Sequence, residues 1–245
     1  SHTGALAGSD LVYDAAIARA GMLRVDTLQQ LFLAAETLTR FRTNQSEQLT
    51  ILTNGGGAGV MAADAAEQVG IELATLGPDT LAALDAVLPA NWSHGNPVDI
   101  IGDAPVARYV DTLRVLNQDR QAGAILFIHA PTAIVPSPQI AQALVPLVDH
   151  TQPRLLSCWL GEAAVAQARG IFQQAGIASF DTPEEAVSAF AMLVRYRRNQ
   201  AQLLEAPASH AGGAVPAAPD RAAVHDLLEA AQAQGQQLLT EPQAK

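Results

Sequence analysis

The sequence is poor in three things that often decide what a protein can be. It has one cysteine, Cys158, in 245 residues. No internal disulfide can form, and so few thiols fit a reducing compartment, so a cytoplasmic location is expected. Aromatic residues are 4% of the chain although 49% is hydrophobic, which leaves alanine, leucine and valine to fill most of the core. Basic residues are outnumbered, 14 Lys+Arg against 24 Asp+Glu, for a formal net charge of -10. That balance, with no basic stripe, argues against nucleic acid and anionic membrane surfaces as partners. No apolar run reaches the ~20 residues of a membrane-spanning helix. The N-terminal stretch lacks the basic-then-apolar layout of a secretory signal. No Cys/His group has zinc spacing, so no metal site is expected.

What is present is alternation. The pattern predicts helices over 9–20, ended by Gly21, and over 27–41, capped by Asp26, with a short strand "MLRV" between them. From residue 49 to 205, strands and helices take turns. The expected strands are "LTILT", "IELATL", "AGAILFI", "RLLSCWL" and "IASF". The helices between them begin with turn or capping residues: the glycine run at 55–57, Asp79, Ser137 before Pro138, and Thr182 before Pro183. "NWSHGNPVDI" reads as a loop. Strands alternating with helices mean βαβ units and right-handed crossovers. Five strands fit an α/β, flavodoxin-like doubly wound parallel sheet. It is preceded by an incomplete helix–strand–helix segment and followed by a linker and one further helix. The expected divisions are 1–45, 46–205, an Ala/Pro/Gly-rich linker at 206–219, and 220–245.

Several stretches could carry chemistry. "TNGGGAG" (53–59) follows a strand and opens a helix, so its amides favour an anion and its glycines admit a ligand. A dinucleotide site would want an acid at the end of the next strand, and "IELATL" has Glu72 only at its start. A tight turn and an anion or acyl site remain the alternatives. "HAPTAIVPSPQ" (129–139) should lie on the same sheet edge, either as a ligand loop or as a plain connection. Asp99 in "NPVDI" and Glu162 after "CWLG" are lesser candidates. His94, His129, His150, His210 and His225 share no ligand spacing and read as surface or hydrogen-bonded residues. Cys158, inside an apolar strand, reads as an inert core thiol. His2 is a competent nucleophile by chemistry, because imidazole titrates near ~6.5 and can carry a phosphoryl group. By position alone it is a chain end.

The order of these pieces resembles the NDP-forming acyl-CoA synthetases, the superfamily of succinyl-CoA synthetase and ADP-forming acetyl-CoA synthetase. "SHTGALAGSDLVYDAAIARAGMLRVDTLQQLF" is similar to the segment around that family's phosphorylated histidine. "TNGGGAGVMAAD", "NPVD" and "TPEEAVSAFAMLV" match further landmarks in order, and "LLTEPQAK" resembles the opening of the ATP-grasp part. The resemblance implies that residues 1–45 end a first ligase domain, that 46–205 form a second, and that 220–245 start the ATP-grasp region. It places the phosphohistidine on His2. It implies substrate or phosphate contacts at Asn54, Gly55, Gly56 and Gly57, and at the loop of Ala133, Ile134 and Val135. That loop lacks the paired glycines of succinyl-CoA synthetase. A carboxylic acid, CoA and ATP/ADP with Mg are the implied partners, met mostly through domains outside this chain, so none is expected to be held within it. An oligomer is left open. "YRRNQAQLLEAPA" and "YDAAIARAGMLRV" also resemble Pat-type protein lysine acetyltransferases. There a ligase-like region senses acyl-CoA and regulates a fused GNAT-type acetyltransferase domain.

Overall fold

A computed structural model describes residues 9–41, 44–205, 220–236 and 239–240. Two units can be distinguished, one ending at Leu204 and one beginning at Glu205. The first holds α1 (Asp10–Arg19), α2 (Leu28–Phe41), β1 (Gln48–Thr53), α3 (Gly56–Gln68), β2 (Glu72–Leu73), α4 (Pro78–Val87) and β3 (Val98–Asp99). It continues with α5 (Val106–Gln118), β4 (Ala124–His129), α6 (Ser137–Leu144), β5 (Leu155–Trp159), α7 (Ala166–Gln174), β6 (Ala178–Phe180) and α8 (Pro183–Leu204). In the second unit α9 (Arg221–Ala233) is the described helix, and Asp220 caps it by accepting from the amides of Ala222 and Ala223.

The sheet is wholly parallel, in the order β2-β1-β4-β5-β6, with β3 also paired to β1. β4 lies between β1 and β5 and is buried along its whole length. Its side chains alternate between two cores, as the two-residue period of a strand requires. Ile125 and Phe127 pack with Leu52, Tyr109, Leu113, Ile140, Leu144, Trp159 and Phe172, under α5, α6 and α7. Leu126 and Ile128 pack with Ile51, Ala62, Ala66, Phe190 and Leu193, under α3 and α8. The expected α/β doubly wound fold is present.

Local details depart from the sequence reading. "MLRV" forms no strand. Among the described residues it has no neighbouring strand to pair with, and its carbonyls are taken by α8: Asn199 donates to Met22 O and Arg195 to Arg24 O. The Arg24 guanidinium is held by Asp10 and Asp14 of α1. "NPVDI" is not all loop, because Val98 and Asp99 add a sixth strand beside Leu52 and Thr53. The start of α2 is held by Thr27 rather than Asp26, since Thr27 Oγ1 accepts from the Gln30 amide. Gly77 with Pro78, not Asp79, opens α4. Thr182 holds the start of α8 as expected, accepting from the Glu185 amide.

Asn96 explains how the short strands share β1. Its Oδ1 accepts from the Ile51 amide, and its Nδ2 donates to the carbonyls of Leu49 and Ala74. One side-chain amide thus serves β1 backbone groups between the β2 and β3 pairings.

Phe127 is fully buried at the centre of the aromatic-rich core. Phe127→Ala should destabilise the first unit by about 3–5 kcal/mol. Urea denaturation followed by far-ultraviolet circular dichroism measures this, and a loss below about 1 kcal/mol would contradict the packing described.

Candidate functional site

All strands run the same way, so the carboxyl ends of β1, β3, β4 and β5 meet at one edge, where open α/β sheets receive ligands. The glycine loop and the 129–139 loop both leave from it, as the sequence predicted. The two are joined. Asn54 is 3% exposed. Its Nδ2 donates to Ala130 O at 2.8 Å and its Oδ1 accepts from the Ala130 amide at 2.9 Å. The planar amide acts as one more rung of the β1–β4 ladder beyond the last residue of either strand. Its polar atoms are therefore engaged with the neighbouring loop.

The glycines differ in what they are for. At Gly56 an added Cβ would lie 2.9 Å from Asp99 Oδ2, and at Gly55 it would lie 3.1 Å from Ala130 Cβ. Close packing explains both. At Gly57 an added Cβ would meet nothing within 4 Å. Gly57 leaves the start of α3 open to approach, and the Gly56 and Gly57 amides head that helix. The Gly55 amide is already bonded to Thr53 Oγ1. Asp99 has Oδ1 engaged by the Ile101 amide and Oδ2 beside Gly56.

In the second loop Ala133 is exposed, Ile134 is exposed, and Val135 leans onto the core under α6. The helix beyond it starts differently from expectation. Pro136 is the residue before α6, and Ser137 is its first residue. Ser137 does not cap its own helix; its Oγ lies 3.1 Å from His129 Nε2. Prolines at 136 and 138 remove two amide donors that an ordinary helix start would offer an anion.

His129 is a hydrogen-bonded residue, as the sequence reading had it, and it lies in the core rather than on the surface. It ends β4, is fully buried, and sits with Nδ1 3.3 Å from the Tyr109 hydroxyl. Burial pushes its pKa down to about 4. Its rings of contact are Tyr109, Phe127 and Trp159. A hint was present in the sequence, because His129 closes the most apolar strand of the chain. Of the other candidates, Cys158 is buried and its thiol is pushed up to about 12 by burial, so it is inert as expected. Glu162 is exposed beyond β5. His94 is half-exposed between Asp85 and the Ala90 carbonyl. His225 pairs with Glu229 on α9. His2 and His210 lie outside the described residues. Among the described residues, no group of His, Cys, Asp and Glu is arranged to hold a metal ion, and no helix is long and apolar enough to cross a membrane.

Two outcomes follow from this geometry. Asn54→Ala leaves both Ala130 backbone groups without their partner and should cost about 1–3 kcal/mol. Faster exchange of the Ala130 amide, by NMR, would accompany the loss of stability; unchanged exchange would contradict the joint. For His129, the unfolded chain takes up the proton more readily than the folded one. The stability this contributes is complete above the ordinary imidazole value of ~6.5 and is lost as pH falls through the folded value of about 4. Across that window the native protein should lose about 3 kcal/mol more than His129→Gln does. Denaturation midpoints from pH 7 to pH 4 read the difference, and parallel curves would contradict it.

Comparison with known proteins gives these features a context. The Ligase-CoA domain family matches residues 49–204, and the family described as succinyl-CoA ligase like flavodoxin domain matches residues 1–38. An ADP-forming acetate–CoA ligase I of Archaeoglobus fulgidus is 37% identical over 82% of this chain and 28% of its own length. The alpha subunit of the ADP-forming acetate–CoA ligase I of Pyrococcus furiosus is 31% identical over 82% of this chain and 44% of its own. The solved structure of the dinucleotide forming acetyl-coenzyme A synthetase 1 of Candidatus Korarchaeum cryptofilum, in complex with phosphate and ADP, superposes with a TM-score of 0.75. It is 28% identical, over 82% of this chain and 44% of that one. The chain thus spans less than half the length of these relatives. With the Ligase-CoA match running from β1 to the end of α8, on the sheet whose edge carries the joined loops, the chain belongs to the Ligase-CoA domain family of the NDP-forming acyl-CoA synthetase superfamily.

Proposed function

We propose that the chain is part of an NDP-forming acyl-CoA synthetase, an acid–thiol ligase that makes acyl-CoA from a carboxylic acid, CoA and ATP or GTP. The observation that carries this is the Asn54–Ala130 joint, which sets two amide-bearing loops side by side at the carboxyl edge of a Ligase-CoA domain. The relatives named as ADP-forming acetate–CoA ligases support it. In this reading, residues 1–45 end one flavodoxin-like ligase domain and 46–205 form the second. Residues 206–219 are a linker and 220–245 begin the ATP-grasp region. The work is done in a reducing, cytoplasmic setting.

The reaction divides into three transfers. A nucleotide, used with Mg, gives its terminal phosphoryl group to the His2 imidazole, and NDP leaves. Phospho-His2 passes that group to a carboxylate oxygen of the acid, which regenerates the imidazole. The thiol of CoA then attacks the acyl phosphate carbon; the thioester bond forms, the carbon–oxygen bond breaks, and phosphate and the thiol proton leave. Within this chain the glycine loop's part is to hold negative charge, and the second loop's is to bound the space that charge occupies. The Gly56 and Gly57 amides head α3, and Gly57 leaves room for an anionic group to reach them. Ala133, Ile134 and Val135 form the facing wall, and Asn54 sets the distance between the two. Nucleotide and CoA are bound chiefly by domains other than these.

The test uses the full-length parent with terminally labelled ATP, the acid and CoA, beside His2→Ala. Acid-labile label on the wild type and none on the variant is the expected result, with thioester formation lost in step. A wild-type parent that never takes label overturns the reading.

A further inference from the structure

The end of β4 and the start of α6 are eight residues apart and touch. His129 Nε2 meets Ser137 Oγ at 3.1 Å across the base of the loop. Both residues are buried, and so is Tyr109 on the other side of the ring. Between them residues 131–134 are exposed. The loop is therefore a span with two fixed feet. One foot is Ala130, held by Asn54. The other is Ser137, held by His129.

The choice of residues at the second foot needs a reason beyond packing. A serine at a helix start usually spends its oxygen on the amides of its own first turn. Here Pro138 has no amide and the Gln139 amide is bonded to Pro136 O, so that demand is absent. The hydroxyl turns inward instead. An imidazole surrounded by Phe127, Trp159 and Tyr109 is costly to bury, and an apolar side chain would fill the space without that cost. What an apolar side chain lacks is a directional hold on Ser137.

We propose that His129 is a positioning residue, which through Ser137 Oγ fixes where Ala133, Ile134 and Val135 stand relative to the glycine loop. This rests on the reading that these loops face the acid or phosphoryl group. Losing the hold leaves the fold in place and lets the loop wander, so it weakens binding at the edge more than it weakens the domain.

The test compares Ser137→Ala, Ser137→Thr and Ser157→Ala. Ser157 is another buried hydroxyl, on β5 beside β4, bonded to Ala178 O and not to the loop. In the full-length parent, Ser137→Ala should raise KM for the acid roughly tenfold, the scale of one lost hydrogen bond, with a smaller change in kcat. Ser137→Thr, which keeps the hydroxyl, should recover most of it. Ser157→Ala should lower the melting temperature and leave KM alone. A second measurement does not depend on activity. In the 245-residue chain, amide exchange at Thr132–Val135 should speed up in Ser137→Ala and not in Ser157→Ala. Wild-type KM in Ser137→Ala, an equal rise in Ser157→Ala, or unchanged loop exchange each overturns the proposal. A wild-type parent without ligase activity defeats the functional reading alone, and loop exchange still decides this one.

Discussion

The edge of this sheet depends on one side-chain amide. Asn54 continues the pairing of β1 with β4 one rung past the strands, meeting both backbone groups of Ala130. Each bond is worth only about 0.5–1.5 kcal/mol net. Its importance is geometric. The glycine loop leaves from one end of this rung and the 130–136 loop from the other, so their spacing is set by a rigid planar group. A flexible side chain of similar polarity would allow the same contact over a range of separations. Orientation of this kind is where acyl and phosphoryl transfer gain much of their rate, because small displacements of reacting groups are costly.

The scarcity of aromatic residues has a counterpart in where they are. Tyr109, Phe127, Trp159 and Phe172 stand together with His129, with neighbouring ring centroids 5.0 to 6.4 Å apart. They occupy the core under α5, α6 and α7, directly inside the loop that closes on Ser137. The opposite core, under α3 and α8, is built largely from alanine, leucine, isoleucine and valine with Phe41, Phe180 and Phe190. Large rigid rings thus back the edge where two loops must keep their places. The helix that starts from the glycine loop needs close approach to the sheet instead, and Ala62 and Ala66 provide it. Bulk and its absence are each placed where geometry calls for them.

The architecture was legible because it rests on short-range pattern. Buried parallel strands are continuous apolar runs, and "AGAILFI" could hardly be anything else. Features made by distant pairings were not legible. "MLRV" has strand composition but, among the described residues, no strand to join, and α8 takes its carbonyls instead. Val98–Asp99 becomes a strand only because β1 has a free stretch beside Asn96. Ser137 before Pro138 looks like a helix cap, yet the prolines around it remove the need, and a histidine eight residues back takes the hydroxyl. The glycine loop was placed at the sheet edge from its motif, and Asn54 was named beside it by resemblance. What the motif did not reveal is that Asn54 faces another loop, because its partner is 76 residues away.

These placements settle what kind of electrostatics the edge can offer. His129, the one imidazole at its base among the described residues, is kept neutral at ordinary pH by burial and contributes no positive charge. The arginines that reach strand ends are engaged. Arg108 holds Asp103 and the Ile100 carbonyl, and Arg169 holds Asp181 and the carbonyls of Trp159 and Gly161. Asp99 adds a carboxylate beside Gly56. Among the described residues, then, an anion at this edge would be met by backbone amides rather than by side-chain cations. Amides stabilise charge only where they already point, since they cannot swing toward it as a lysine can. A site of that kind works only if its loops are held still. In the proposed reading, this is what tying one loop at both ends provides, with Asn54 on Ala130 and His129 on Ser137.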